Sequence, residues 1–174
     1  MRSLIDPQMQ EGVEFLIDED NREKTIGTKR NCLLDKAEGD YIVFVDDDDI
    51  VPGYYVSQII AALKTRPDVV GINGIITVCD RNPKPFIHTM ECERWHEKDG
   101  VYYRCPNHWN PVKRGLALQA GFPPINYGED HAYSDALYPL LQTEVKINAP
   151  MYYYLSNPQT SVAIARKGEP CVIA

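Results

Sequence analysis

Residues 41–49 read Tyr-Ile-Val-Phe-Val-Asp-Asp-Asp-Asp, an apolar run that passes directly into four carboxylates. Its β-branched and aromatic residues predict a short strand buried on both faces. Pro52-Gly53 closes the turn that follows. Adjacent like charges resist joint ionisation unless something positive lies among them. A hard divalent cation is the simplest partner, and Mg²⁺ in particular combines one or two carboxylates with substrate phosphates. Ligands of open α/β sheets bind beyond the carboxyl ends of strands, where this cluster would lie. A solvated acidic turn is the alternative reading of the same residues.

Around this strand the chain alternates. Residues 13–17 form an apolar strand ending in the polar Asp18-Glu19-Asp20-Asn21. Thr25 is placed to cap a helix running to about Glu38, with Gly39 at its C′ position. A second helix is expected over 54–65 and another strand over 68–78. Strand, helix, strand, helix, strand predicts an α/β fold, with a mostly parallel sheet flanked by helices. Residues 1–12 read as the end of a helix stopped at Gly12. Beyond Asp80 the periodicity loosens. Residues 81–100 read as loop with short strands, and a small mixed C-terminal extension follows. It comprises strands near 101–104 and 109–114, a short helix at 115–120, a helix over 129–141 opened by Gly128, and strands at 144–148 and 151–155. From Ser156 the tail reads as irregular and mobile.

At 174 residues the chain is sized for one domain with a full core. No apolar stretch approaches the roughly 18 residues of a membrane span, and the first residues do not read as a signal peptide. Five cysteines, an odd number, fit reduced thiols and a cytoplasmic location. A formal net charge of −7 argues against a general nucleic-acid binder.

Three motifs then fall in order: Gly27-Thr28-Lys29-Arg30-Asn31-Cys32-Leu33-Leu34, the segment from Gly39 to Asp49, and Phe122 with Gly128-Glu129-Asp130. Together they resemble the G-x-x-x-R-N-x-x-L helix, the D-x-D strand and the later "F … ED" pair of family 2 glycosyltransferases with the GT-A fold. The likeness covers roughly residues 13–155, and Asn107 to Arg114 is similar to short phage-type or metagenomic members. Such enzymes normally begin with a "V-S-V-I-I-P-T-Y-N" strand. Here the sequence starts in the following helix, so the resemblance implies an N-terminally incomplete domain. Residues 1–80 would be its nucleotide-binding part, 81–155 the acceptor side and 156–174 a tail. A sheet edge exposed by the missing strand would invite a homo-oligomer.

The resemblance implies an inverting transfer of sugar from a nucleoside-diphosphate donor, a UDP-sugar, to an acceptor hydroxyl on a glycan or a modified DNA base. Asp46 would meet the ribose, and Asp48 would hold Mn²⁺ or Mg²⁺ with Asp46 and His108 as further ligands. Asp18, Asp20, Arg30 and Asp47 would contact the nucleotide. Asp130 would be the general base beside Glu129, although acids at a helix start also suit the dipole. Trp95, Trp109 and Tyr127 are candidates for a sugar-stacking wall, and His131 for an acceptor contact.

Rival readings use the same residues. Cys92, His96, Cys105 and His108 offer four ligands for a structural zinc, at atypical spacing. An EF-hand loop fails, because counting from Asp46 position 6 is Val51 and position 12 is Ser57. A haloacid-dehalogenase-type phosphatase also places D-x-D after a buried strand, though on its first strand. A degenerate transferase that binds a nucleotide without turnover is the non-enzymatic alternative.

Overall fold

The computed structural model describes residues 1–21, 23–78, 81–156 and 170–173. A short helix α1 (Arg2–Ile5) and a 3-10 turn (Asp6–Gln8) lead to strand β1 (Phe15–Ile17). Helix α2 (Ile26–Lys36) starts where Thr25 Oγ1 accepts the Thr28 amide at 3.2 Å. It ends through an extended Ala37, and Gly39 is not left-handed, so the expected glycine stop is absent. Strand β2 (Tyr41–Asp46) follows, then α3 (Tyr55–Leu63).

Strand β2 is covered on both sides, as its composition requires. Ile42 and Phe44 pack with Leu33, Leu34 and Ala37 of the α2 layer. Val43 and Val45 point the other way, into a cluster with Tyr55, Val56 and Ile59 of α3. Alternation at period two sends successive side chains to opposite faces. Each fully buried Val, Ile or Phe adds about 1.5–3 kcal/mol of transfer free energy.

The remaining elements are β3 (Val69–Val78), β4 (Arg81–His88), β5 (His96–Lys98), β6 (Val101–Arg104), β7 (Val112–Lys113), α4 (Arg114–Ala120), α5 (Glu129–Leu137), β8 (Glu144–Ser156) and β9 (Pro170–Ile173). Among the described residues nine strands join one sheet, in the order β1-β9-β2-β7-β3-β4-β6-β5, with β8 paired to β3. The expectation of a mostly parallel sheet is corrected here. Among the described residues only β3 with β8 and β4 with β6 pair in parallel, and the sheet is mixed and mostly antiparallel. The physical reason is interleaving. β9 runs antiparallel to both β1 and β2, and β7 antiparallel to both β2 and β3, so β1, β2, β3 and β8 still share one direction.

Two further expectations change. Residues 81–88, expected as part of a loop with short strands, form one eight-residue strand against β3. Pro83 and Pro85 hid it, and both fall where β4 lacks a second neighbour, since β6 pairs only with 86–88. The two short strands expected over 144–155 are one long strand with register breaks near Pro150. Gly74 permits the close approach there, because a Cβ would lie 2.2 Å from the Phe86 ring and 2.3 Å from the Tyr152 carbonyl oxygen. The C-terminal elements therefore extend the same sheet. Of the tail, 157–169 lies outside the described residues, while 170–173 occupies a strand position between β1 and β2.

Candidate active site

Strands β1 and β2 end level with each other across β9, since Ile17 and Val45 both pair with Cys171. Asp18 and Asp46 thus lie about 10 Å apart, two strand spacings, at the carboxyl ends of two co-directional strands. Asp18 is buried and accepts Lys24 Nζ at 3.1 Å. Asp20 pairs with Lys29 at 2.5 Å and accepts the Lys24 amide at 2.8 Å. These two acids fasten the loop after β1.

The four aspartates diverge in environment. Asp46 Oδ1 accepts Arg30 Nη2 at 2.8 Å, and Oδ2 accepts His108 Nε2 at 3.3 Å and Trp109 Nε1 at 3.2 Å. Burial would raise its carboxyl, but Arg30 and His108 hold it well below the usual carboxylate range. Asp49 is buried and ties the turn to β8, accepting Tyr152 Oη at 2.8 Å and the Leu155 amide at 3.0 Å. Tyr152 Oη in turn accepts the Asp46 amide at 3.0 Å, so one hydroxyl joins both ends of the tetrad. Burial, then the charges of Asp46 and Asp48, push Asp49 upward.

Asp48 is the member left under charge stress. Partial burial, followed by the Asp46 and Asp47 charges, pushes its carboxyl up to about 6. Asp47 is half-buried beside it. Among the described residues no group of three His, Cys, Asp or Glu forms a closed metal cage. The donor set nevertheless fits a cation of the Mg²⁺ type, which needs only one or two carboxylates when phosphates complete its shell. A cation at Asp48 would offset the burial of its charge and the repulsion from Asp46 and Asp47.

Arg30 links this turn to α5. It is 3% exposed, and Nη1 donates to Glu129 Oε1 at 2.6 Å while Nη2 holds Asp46. Burial opposes its charge, but Asp46 and then Glu129 more than offset that and raise its pKa. Both terminal nitrogens are engaged by carboxylates, and the side chain is no surface arginine. Asp130, the next residue of α5, is half-buried and has no hydrogen bond or ion pair among the described residues. A carboxylate held by a rigid neighbour yet without a partner of its own suits proton abstraction.

The rest of the helix motif also acquires a physical meaning. Asn31 clamps Phe122 reciprocally, its Nδ2 donating to the Phe122 carbonyl at 2.8 Å and its Oδ1 accepting the Phe122 amide at 2.9 Å. A Cβ on Gly27 would sit 1.9 Å from the Pro123 carbonyl oxygen, so the residue must be glycine for the loop to dock. The turn at 107–110 is knotted in the same way. Asn107 Oδ1 accepts the Trp109 amide, and Asn110 Oδ1 accepts the Asn107 amide, both at 3.0 Å. Asn110 also donates to the Val70 carbonyl at 2.9 Å and meets His88 Nδ1 at 3.2 Å. This turn aims His108 and Trp109 at Asp46.

These arrangements decide several sequence expectations. His108 is buried with Nε2 directed to Asp46, which makes it a neighbour of that carboxylate. Trp109 is buried and stacks on Tyr152 at 4.7 Å, so it is no part of an exposed sugar wall, and Tyr127 is 63% exposed. The zinc set does not assemble. Cys92 Sγ lies 3.9 Å from His96 Nδ1, but Cys105 Sγ donates to the Cys92 carbonyl at 2.7 Å and His108 faces Asp46. Burial also pushes the Cys105 thiol up to about 12, unlike a metal-bound thiolate. Trp109, Tyr152 and Asn110 had no local signal as parts of this network.

The family profile of glycosyl transferase family 2 matches residues 4–127. That range spans well over half of the 174 residues and includes Arg30 and all four aspartates. The chain belongs to glycosyl transferase family 2. No curated protein matches it in sequence. For this family 2 glycosyltransferase, glycosyl transfer is the activity the membership supports, on a mixed α/β scaffold consistent with a GT-A-like domain. The match stops short of Glu129 and Asp130, which join the site through Arg30. Among the described residues no helix is long and apolar enough to cross a membrane.

Proposed function

We propose that this glycosyltransferase moves a sugar from a nucleoside-diphosphate donor, a UDP-sugar, to an acceptor hydroxyl with inversion at the anomeric carbon. The observation that carries the reading is the buried Asp46–Arg30–Glu129 chain, which fixes a partnerless Asp130 relative to the aspartate turn. The acceptor oxygen bonds to the anomeric carbon as the bond from that carbon to the diphosphate breaks. The electron pair leaves with the diphosphate, and Asp130 takes the hydroxyl proton. Asp48, with Asp47 beside it, would hold Mn²⁺ or Mg²⁺, which when bound neutralises charge developing on the phosphate oxygens. Arg30 keeps Asp46 ionised and oriented towards the ribose side, while Asp18 and Asp20 stiffen the loop that would meet the base.

Calorimetry with UDP and Mn²⁺, paired with a donor-hydrolysis assay, tests this. Asp48→Ala should abolish Mn²⁺-dependent binding. Asp130→Ala should bind normally and lose about 10²-fold or more in turnover. Binding in the wild type should strengthen as pH rises through about 6, where Asp48 ionises. Wild-type behaviour in both variants would overturn the assignment. Binding without turnover in the unmodified protein would instead make it a nucleotide-binding relative, and release of phosphate from simple phosphomonoesters would favour the phosphatase.

A further inference from the structure

Beside Asp130 lies a cation that the donor chemistry above does not use. Arg104, at the end of β6, places its Cζ 4.3 Å over the Trp95 ring and 5.9 Å from the Tyr102 ring. Trp95 is held from a second direction by His131, whose ring centroid is 4.5 Å away and which follows Asp130 on α5. Stacking uses the face of a guanidinium and leaves its five N–H donors at the edge. Among the described residues those donors make no hydrogen bond and no ion pair, although Arg104 is largely covered. The neighbouring cation differs. Lys84, 5.0 Å from the centre of the Tyr102 ring, is already paired with Glu97 at 2.7 Å. Burial depresses the Arg104 guanidinium from its ordinary value, with the Asp130 charge acting the other way. A half-desolvated cation with unfilled planar donors matches the two oxygens of a carboxylate or phosphate.

We propose that Arg104, fixed on Trp95, is an acceptor subsite that selects acceptors carrying an anionic group near the reacting hydroxyl. The proposal rests on the transferase reading only for the word acceptor; the anion site itself stands on the Arg104–Trp95 stack. The charge on the acceptor would dock at the guanidinium edge while its hydroxyl reaches Asp130. Arg104 also offsets the repulsion between that anion and the Asp130 carboxylate.

The chain has two tryptophans, and their indole N–H signals in a ¹H–¹⁵N correlation spectrum separate the two sites. Trp109 donates to Asp46 and reports the donor side, whereas Trp95 reports the Arg104 stack. The wild-type protein, with saturating UDP and Mg²⁺, is titrated with glucose, glucose 6-phosphate and glucuronate. One or both anionic sugars should move the Trp95 signal while glucose at equal concentration does not, and the responding sugar identifies phosphate or carboxylate. Arg104→Gln should weaken that response at least tenfold, and Arg104→Lys should restore part of it. An unmoved Trp95, an equal response to glucose, wild-type behaviour of Arg104→Gln, or displacement of the anionic sugars by UDP would each overturn the subsite. A Trp109 signal indifferent to UDP and Mg²⁺ would instead count against the donor reading and leave the Trp95 result standing.

Discussion

Replacing Arg30 by Met removes one buried cation from between two carboxylates while keeping an unbranched apolar stem. Arg30 is 3% exposed and its two contacts measure 2.6 and 2.8 Å. Breaking a buried pair from one side costs about 3–5 kcal/mol, because the abandoned charge stays desolvated. The two partners do not suffer equally. Asp46 retains His108 and Trp109 and its side chain is 24% exposed, which softens its loss. Glu129 is only 8% exposed at its side chain and has no other hydrogen bond among the described residues. Most of the penalty therefore falls on Glu129, and a destabilisation of about 3 kcal/mol is expected. Urea unfolding at pH 7 measures it as a shift in midpoint at constant slope. Replacing both residues, Arg30→Met with Glu129→Met, should recover a large part of the loss, since the uncompensated charge is gone. The acid limb should change as well. Asp46 has a folded pKa well below its unfolded value near 3.9, so its contribution is complete above that pH and fades as pH falls below it. Arg30→Met should flatten this fade. A single variant costing less than about 1 kcal/mol, or a double variant less stable than the single one, would refute the reasoning.

Gly27→Ala ordinarily gains helix propensity of up to about 1 kcal/mol, yet here it should destabilise by about 1–3 kcal/mol because its Cβ meets the Pro123 carbonyl oxygen at 1.9 Å; the melting temperature reads the sign directly. Tyr152→Phe takes from the buried Asp49 its hydroxyl partner and leaves the Asp46 amide unpaired, for an expected loss of about 1–3 kcal/mol in urea unfolding. His88 is fully buried, and burial, then the Arg104 charge, hold its pKa at about 3. Its unfolded form takes a proton below about 6.5, so stability should fall by up to about 1.4 kcal/mol per pH unit between 6.5 and 3, and His88→Gln should remove that slope.

How much of this could be read from the residues depends on the range over which each interaction acts. Thr25 announced α2, and the run from Tyr41 to Val45 announced a strand with helices on both faces, because caps and periodicity are local. Arg30, Asp46 and Asp130 were singled out by motif, and the structure brings them into one neighbourhood through Glu129. Strand direction was not legible. Nothing in residues 112–113 or 170–173 says that they insert antiparallel between co-directional strands. The partners of the aspartates were equally hidden, since Trp109 reaches Asp46 across 63 residues and Tyr152 reaches Asp49 across 103. The sequence separated the four aspartates only through the family motif, which gives Asp46 to the ribose and Asp48 to the metal. Their environments make Asp46 a caged anion, Asp49 a structural tie and Asp48 the strained one.

The strand that stands between β1 and β2 is synthesised more than a hundred residues after β2. On the ribosome both earlier strands must therefore wait with their facing backbone edges unpaired, and such edges recruit foreign strands. Closing them late carries the entropy of a long-range pairing, which places this half of the sheet among the last parts to consolidate. A chaperone that shields those two edges during translation should therefore raise the yield of folded protein.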